Sequence, residues 1–150
     1  MRKNSRGIFI AFLVMILVLS GLLILRRYSS ADAEMYRNNW NITIPKNLKK
    51  QYYTSSFGGG AHDGESYAIY GLKDEYTRED ASVLEGASSR KNPDMQNEVV
   101  TILKSLKADT KNYPDFSHDY QWKILYSGSD RLYILYDTKL SCLYFVQYIL

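Results

Sequence analysis

Two His-Asp pairs carry the chemistry this chain could offer: His62-Asp63 and His118-Asp119. They hold the only two imidazoles in the sequence. Two imidazoles and two carboxylates make a plausible donor set for a transition metal or for general acid–base work, provided the two segments meet. Glu65, just after the first pair, could complete such a set. Both pairs fall in loop-like sequence, and Asp63-Gly64 is also a common tight-turn dipeptide leading into a strand. As turn residues the pairs need no ligand. The expectation is therefore no metal and no cofactor, with His62, Asp63, His118 and Asp119 kept as weak binding candidates.

Other catalytic signatures fail on context. Gly58-Gly59-Gly60 lacks the Lys-Ser/Thr and the helix that a phosphate-binding loop requires. No serine sits in a G-x-S-x-G elbow. Cys142 is the single cysteine, so no intramolecular disulfide or cysteine cluster can form, and its place in a strand suits a buried structural thiol.

The segments that would position these residues begin with a membrane element. Gly7–Leu25 is apolar throughout except for Ser20 and its glycines, with Arg2, Lys3 and Arg6 before it and Arg26 and Arg27 after it. At about 1.5 Å per residue this run suits a hydrocarbon core of roughly 30 Å. The competing reading is a cleaved signal, with Ala31-Asp32-Ala33 as the cut. The length of the run and the two arginines between it and that cut favour an uncleaved single-pass anchor. No cysteine follows closely, which excludes a lipoprotein anchor. A short basic tail usually stays in the cytoplasm, which places the C-terminal domain outside the cell membrane.

Without this basic segment the chain is nearly neutral. Five of the nineteen Lys and Arg lie in residues 1–27, where there is no acid, leaving fourteen against sixteen Asp and Glu. No basic stripe marks the domain, so a nucleic-acid partner is not expected. The expected organisation is a basic tail and anchor over 1–27, a connector over 28–38 and one small α+β domain over 39–150.

Within that domain Trp40-Asn41-Ile42-Thr43-Ile44 alternates like a strand, and Pro45 ends it. The following segment to Tyr53 reads as irregular or as one helical turn. Glu65–Leu72 reads as a strand. Thr77 and Asp80 suggest a short helix ending near Gly86. Asn92 caps a stronger helix, with Pro93 at its first position and a stripe of Met95, Val99, Ile102, Leu103 and Leu106. From Tyr120 the period becomes two, and three strands turn at Ser127–Asp130 and Asp137–Ser141. The last is apolar on both faces, which suits a central strand. The fold class expected is α+β: an N-terminal transmembrane helix, then an antiparallel meander packed on one or two helices. The expected core sets the helix stripe against Ile124, Leu132, Ile134, Leu143 and Phe145. Fourteen tyrosines suit a sheet with a half-exposed face, and they also suit a recognition surface.

This order of pieces resembles small membrane-anchored and lipoprotein-type proteins of Gram-positive bacteria. The matching residues are Trp40-Asn41-Ile42-Thr43-Ile44-Pro45, His62-Asp63-Gly64 with Tyr67, and Asp130-Arg131-Leu132-Tyr133-Ile134-Leu135-Tyr136. The resemblance implies location and fold class and carries no active site. Three functions fit the sequence. The first is a non-catalytic binding or accessory domain for an envelope protein or peptide, held to the lipid bilayer through residues 7–25. The second is a membrane-held immunity or inhibitor protein. The third is a metal-dependent envelope hydrolase using the His-Asp loops.

Overall fold

The computed structural model describes residues 10, 12–20, 34–42, 44, 45, 48–57, 63–72 and 82–150. They divide into two compact units, Met1–Asn41 and Ile42–Leu150.

In the first unit residues 12–20 form helix α1. Every side chain from Phe12 to Leu19 is apolar and between 48 and 62% exposed. A helix apolar on all faces has no polar side to turn to water. Its one hydroxyl, Ser20 Oγ, donates to the Leu17 carbonyl at 3.0 Å and so is satisfied inside the helix. The spanning helix expected over 7–25 is not supported at that length. No helix among the described residues is long and apolar enough to cross a membrane. Arg2, Lys3, Arg6, Arg26 and Arg27 lie outside the described residues.

Residues 34–40 form a second helix, α2, with a Glu34–Arg37 ion pair at 3.3 Å one turn apart. This corrects the strand expected from Trp40. Trp40 closes the helix, and Asn41 turns left-handed at φ 53° while its N–H reaches the Arg37 carbonyl at 3.0 Å. Asn tolerates that conformation well, and it breaks any extended run through 41.

The second unit is built on a five-stranded antiparallel sheet. Its strands are β1 (Leu48–Ser55), β2 (Gly64–Leu72), β3 (Tyr120–Ser127), β4 (Asp130–Asp137) and β5 (Cys142–Ile149), in spatial order β1-β2-β5-β4-β3. The meander β3-β4-β5 forms as its turns dictate. Gly128, at φ 60°, supplies the left-handed residue of the two-residue turn between Ser127 and Asp130. β5 is central, as its two apolar faces require.

Strand β1 corrects the irregular or helical reading of that segment. Lys49, Gln51 and Tyr53 point to solvent from an edge, and the register shifts between Lys50 and Tyr52. Lysines and a bulge are usual protections of an exposed edge. They also hide the strand from a search for apolar alternation. On the far edge Ser88 exchanges backbone hydrogen bonds with Trp122 at 2.8 and 2.9 Å. Thr77 and Asp80 lie outside the described residues, and Ser82–Leu84 form a single 3₁₀ turn.

Helix α3 (Pro93–Ser105) forms for the expected reasons. The Asn92 side chain accepts from the Met95 N–H at 3.1 Å, Pro93 opens the helix, and Asp94 sits in the first turn. Lys107, left-handed at φ 51°, ends it, and Ala108 N–H bonds the Leu103 carbonyl at 3.0 Å. Met95, Val99, Ile102 and Leu103 are buried.

The stripe packs on the other sheet face from the one expected. Its partners are Tyr67, Ile69, Tyr133, Leu135, Tyr144 and Val146, with Ile124 alongside. Leu132, Ile134, Leu143 and Phe145 are fully buried on the opposite face. Both faces are apolar, so periodicity cannot choose between them. Polar ends can. Tyr67 donates to the Asn112 carbonyl, Tyr133 to Glu98 Oε2 at 2.6 Å, and Gln96 Nε2 donates to the Tyr120 hydroxyl at 2.6 Å. Only the helix side satisfies these rings. On the far face Ser66 and Gln147, opposite each other in register, are buried with no hydrogen-bond partner for their side chains among the described residues.

Candidate functional site

The sheet register decides whether the two His-Asp pairs meet. Gly64 faces Ile149, Arg131 faces Tyr148, and Ser127 faces Asp130. Asp63, exposed just before β2, therefore lies at that end of the sheet. Tyr120 faces Asp137, Asp137 faces Cys142, and Cys142 faces Gly71. His118 and Asp119, just before β3, lie at the other end. Seven or so strand residues separate the two ends, roughly 25 Å. Convergence of strand starts fails because β2 and β3 run in opposite directions with β5 and β4 between them. Glu65 is excluded from the His118 end by the same register. His62 lies outside the described residues. No group of three or more His, Cys, Asp or Glu among the described residues is placed to hold a metal ion.

His118 is instead a clamp. Its Nδ1 bonds Asp137 Oδ2 at 2.7 Å, and its Nε2 lies 3.1 Å from Asp115 Oδ2 and 3.2 Å from Lys139 Nζ. The ring nitrogens face different partners, so the surrounding carboxylates do not converge on one point. The Ser117 hydroxyl and backbone N–H hold the Asp115 carboxyl below its ordinary range, and the neighbouring His118 and Lys139 act in the same direction. Asp137, almost wholly buried, also accepts from the N–H groups of Lys139 and Leu140 at 2.8 and 2.9 Å. Lys91 Nζ donates to the carbonyls of Phe116, at 2.8 Å, and His118. Asp119 is exposed, and its carbonyl accepts from Thr138 N and Oγ1 at 3.2 and 2.9 Å. The adjoining crevice, about 10 Å³, lies among Asp115, Phe116, Tyr120, Asp137 and Tyr144. It is about the size of one water. Among the described residues this constellation binds a loop to a hairpin turn, and the crevice beside it is no larger than one water.

The opposite end of the sheet is open. Register places Tyr126, Arg131, Tyr148 and Glu65 in one row across β3, β4, β5 and β2. They share the face that carries α3. Between Arg131, Tyr148 and Glu65 of this row and Asn97, Glu98, Thr101 and Ile102 of the helix lies a cleft of about 430 Å³. That volume is in the range of small-ligand sites. Tyr133 and Leu150 also line it. Glu98 accepts from the Tyr133 hydroxyl at 2.6 Å and from Arg131 Nη1 at 3.4 Å. Tyr126 and Leu150 are each 66% exposed. Rigid tyrosines alternating with charged residues are a common make-up for a recognition surface.

Burial, then the hydrogen bond to Glu98, pushes the Tyr133 hydroxyl up to about 12 from an ordinary 10.0. Burial pushes Tyr67 and Tyr144 further in the same direction. The fold thus favours the neutral phenols. Their contribution is complete below pH ~10, where the unfolded chain also keeps its protons, and is lost progressively as pH rises toward the folded values. Urea midpoints should be flat from pH 8 to about 9.5 and fall steeply above 10. Tyr133→Phe should make that fall shallower. An equal slope in the variant would show that Tyr133 does not contribute to it.

Of the cleft residues the sequence singled out only Glu65 as a possible ligand, and it did so as a companion of the His-Asp pairs rather than for this cleft. The β3–β4 part of the row follows from the two-residue turn, which fixes Tyr126 opposite Arg131. The Glu65–Tyr148 part depends on β2 pairing with a strand some eighty residues later, for which no local signal exists. No family model, curated protein or solved structure matches the chain.

Proposed function

We propose that this chain is a membrane-anchored, extracytoplasmic binding protein that performs no chemistry of its own. The observation that carries the binding role is the open cleft floored by Arg131, Tyr148 and Glu65, which share one row across the sheet. Support for the anchor comes from the apolar run 7–25 with its basic flanks, and from the exposed all-apolar faces of α1. The hydrolase alternative finds little support, because Asp63 and the His118-Asp119 pair stand at opposite ends of the sheet.

Intact-mass measurement of the membrane fraction tests the anchor. The expected product keeps residues 1–33, because Arg26 and Arg27 obstruct processing. A mature N-terminus at Glu34 would remove the anchor from the account. Binding is tested in intact cells with a photo-reactive residue at Tyr148 or at Leu140, which is exposed in the β4–β5 turn at the other end of the sheet. A partner adduct from position 148 and none from 140 is expected. Equal adducts from both positions would dissociate binding from the cleft.

A further inference from the structure

We infer that the cleft receives a cationic side chain of a peptide, a lysine or arginine, with Glu65 as its counter-charge. This rests on the binding reading above and names the chemistry of the ligand. Two carboxylates, Glu65 and Glu98, line the cleft against one guanidinium, Arg131, so its charged lining is net negative. Glu98 is engaged by Tyr133 and Arg131. The Glu65 side chain has no hydrogen-bond or ion-pair partner among the described residues, and its backbone N–H is already held by Ser56 Oγ at 2.8 Å. An anionic ligand would meet this unpaired carboxylate, whereas a cation would neutralise it.

The apolar part of the site suits the stem of such a side chain. Ile102 and the Tyr148 ring offer a surface for methylene groups, and the charged head remains at the wet rim. A cation beside a tyrosine face gains a further attraction from the ring. The described residues contain this arrangement twice already: Lys91 Nζ stands 4.6 Å from the centroid of the Tyr120 ring, and Lys50 Nζ 5.5 Å from that of Tyr53. Arg131 does not fill the same role in the cleft, because its guanidinium is turned to Glu98.

The test uses the full chain in detergent micelles and three blocked dipeptides: N-acetyl-Leu-Lys-amide, N-acetyl-Leu-norleucine-amide and N-acetyl-Leu-Glu-amide. Amide chemical shifts of Glu65, Arg131 and Tyr148 report occupancy. The lysine probe should move them saturably and bind about tenfold more tightly than the norleucine probe, the advantage of one charge-assisted contact. Added salt should shrink that advantage, as should Glu65→Gln, whose unchanged spectrum elsewhere shows that it folds. If norleucine or glutamate probes bind as well as lysine, or the advantage survives Glu65→Gln, the cation inference is wrong while the cleft remains a binding site. If none of the three moves the row at millimolar concentration, both this inference and the binding reading fall.

Discussion

Leu103→Ala should lower the unfolding free energy of the second unit by about 2–5 kcal/mol, the usual range for emptying a leucine site in a packed core. Small domains have about 5–15 kcal/mol in total, so the loss would be visible in a simple denaturant titration. Leu103 is fully buried and belongs to the cluster formed by α3 and the tyrosine-bearing sheet face. The rings around it are held at their hydroxyl ends by Glu98, Gln96 and Asn112, so they cannot easily close over a void. Lys104→Ala, one residue on and exposed, should change stability by no more than about 0.5 kcal/mol. An unchanged midpoint for Leu103→Ala would mean that α3 is not seated on this face.

Asp137→Ala should be nearly as damaging, at about 2–4 kcal/mol, because it strips partners from three donors at once. Those donors are His118 Nδ1 and the backbone N–H groups of Lys139 and Leu140. Asp137→Asn should cost about 1 kcal/mol, since its remaining carbonyl can still serve the turn. The pair of variants separates turn-capping from the His118 clamp. Should Asn prove as costly as Ala, the imidazole contact carries the stability. Should both be neutral, the clamp is ornamental and His118 is released for other roles.

Much of this architecture was legible because it is local. Asn92, Pro93 and the Met95–Leu103 stripe define α3 within one stretch, and Gly128 and Asp137 mark their turns. The two-residue turn at Gly128 even determines that Asp137 faces Tyr120, two residues after His118, so the clamp could have been counted out along the hairpin. What stayed hidden is non-local or ambiguous. Trp40-Ile42-Ile44 alternates like a strand, yet Asn41 adopts a left-handed cap. β1 carries the polar pattern of an edge. Leu132/Ile134 and Tyr133/Leu135 offer two apolar faces, and only the partners of the tyrosine hydroxyls choose between them. The cleft row needs β2 beside β5, which no turn specifies.

That pairing has a consequence for synthesis. A ribosome delivers β1 and β2 early and β5 last among the strands, yet β5 is the strand that joins the first hairpin to the rest of the sheet. Until it emerges, β2 presents an unpaired edge, and the Tyr67–Leu72 segment has no long-range partner. Such late, sequence-distant pairing slows folding and leaves intermediates prone to aggregation. For a chain threaded through a membrane from its N-terminal side, the sheet would be completed only after β5 had crossed. A stop codon within β5 would therefore do more than shorten a strand: the product would be two hairpins with no strand to join them, fit for proteolysis.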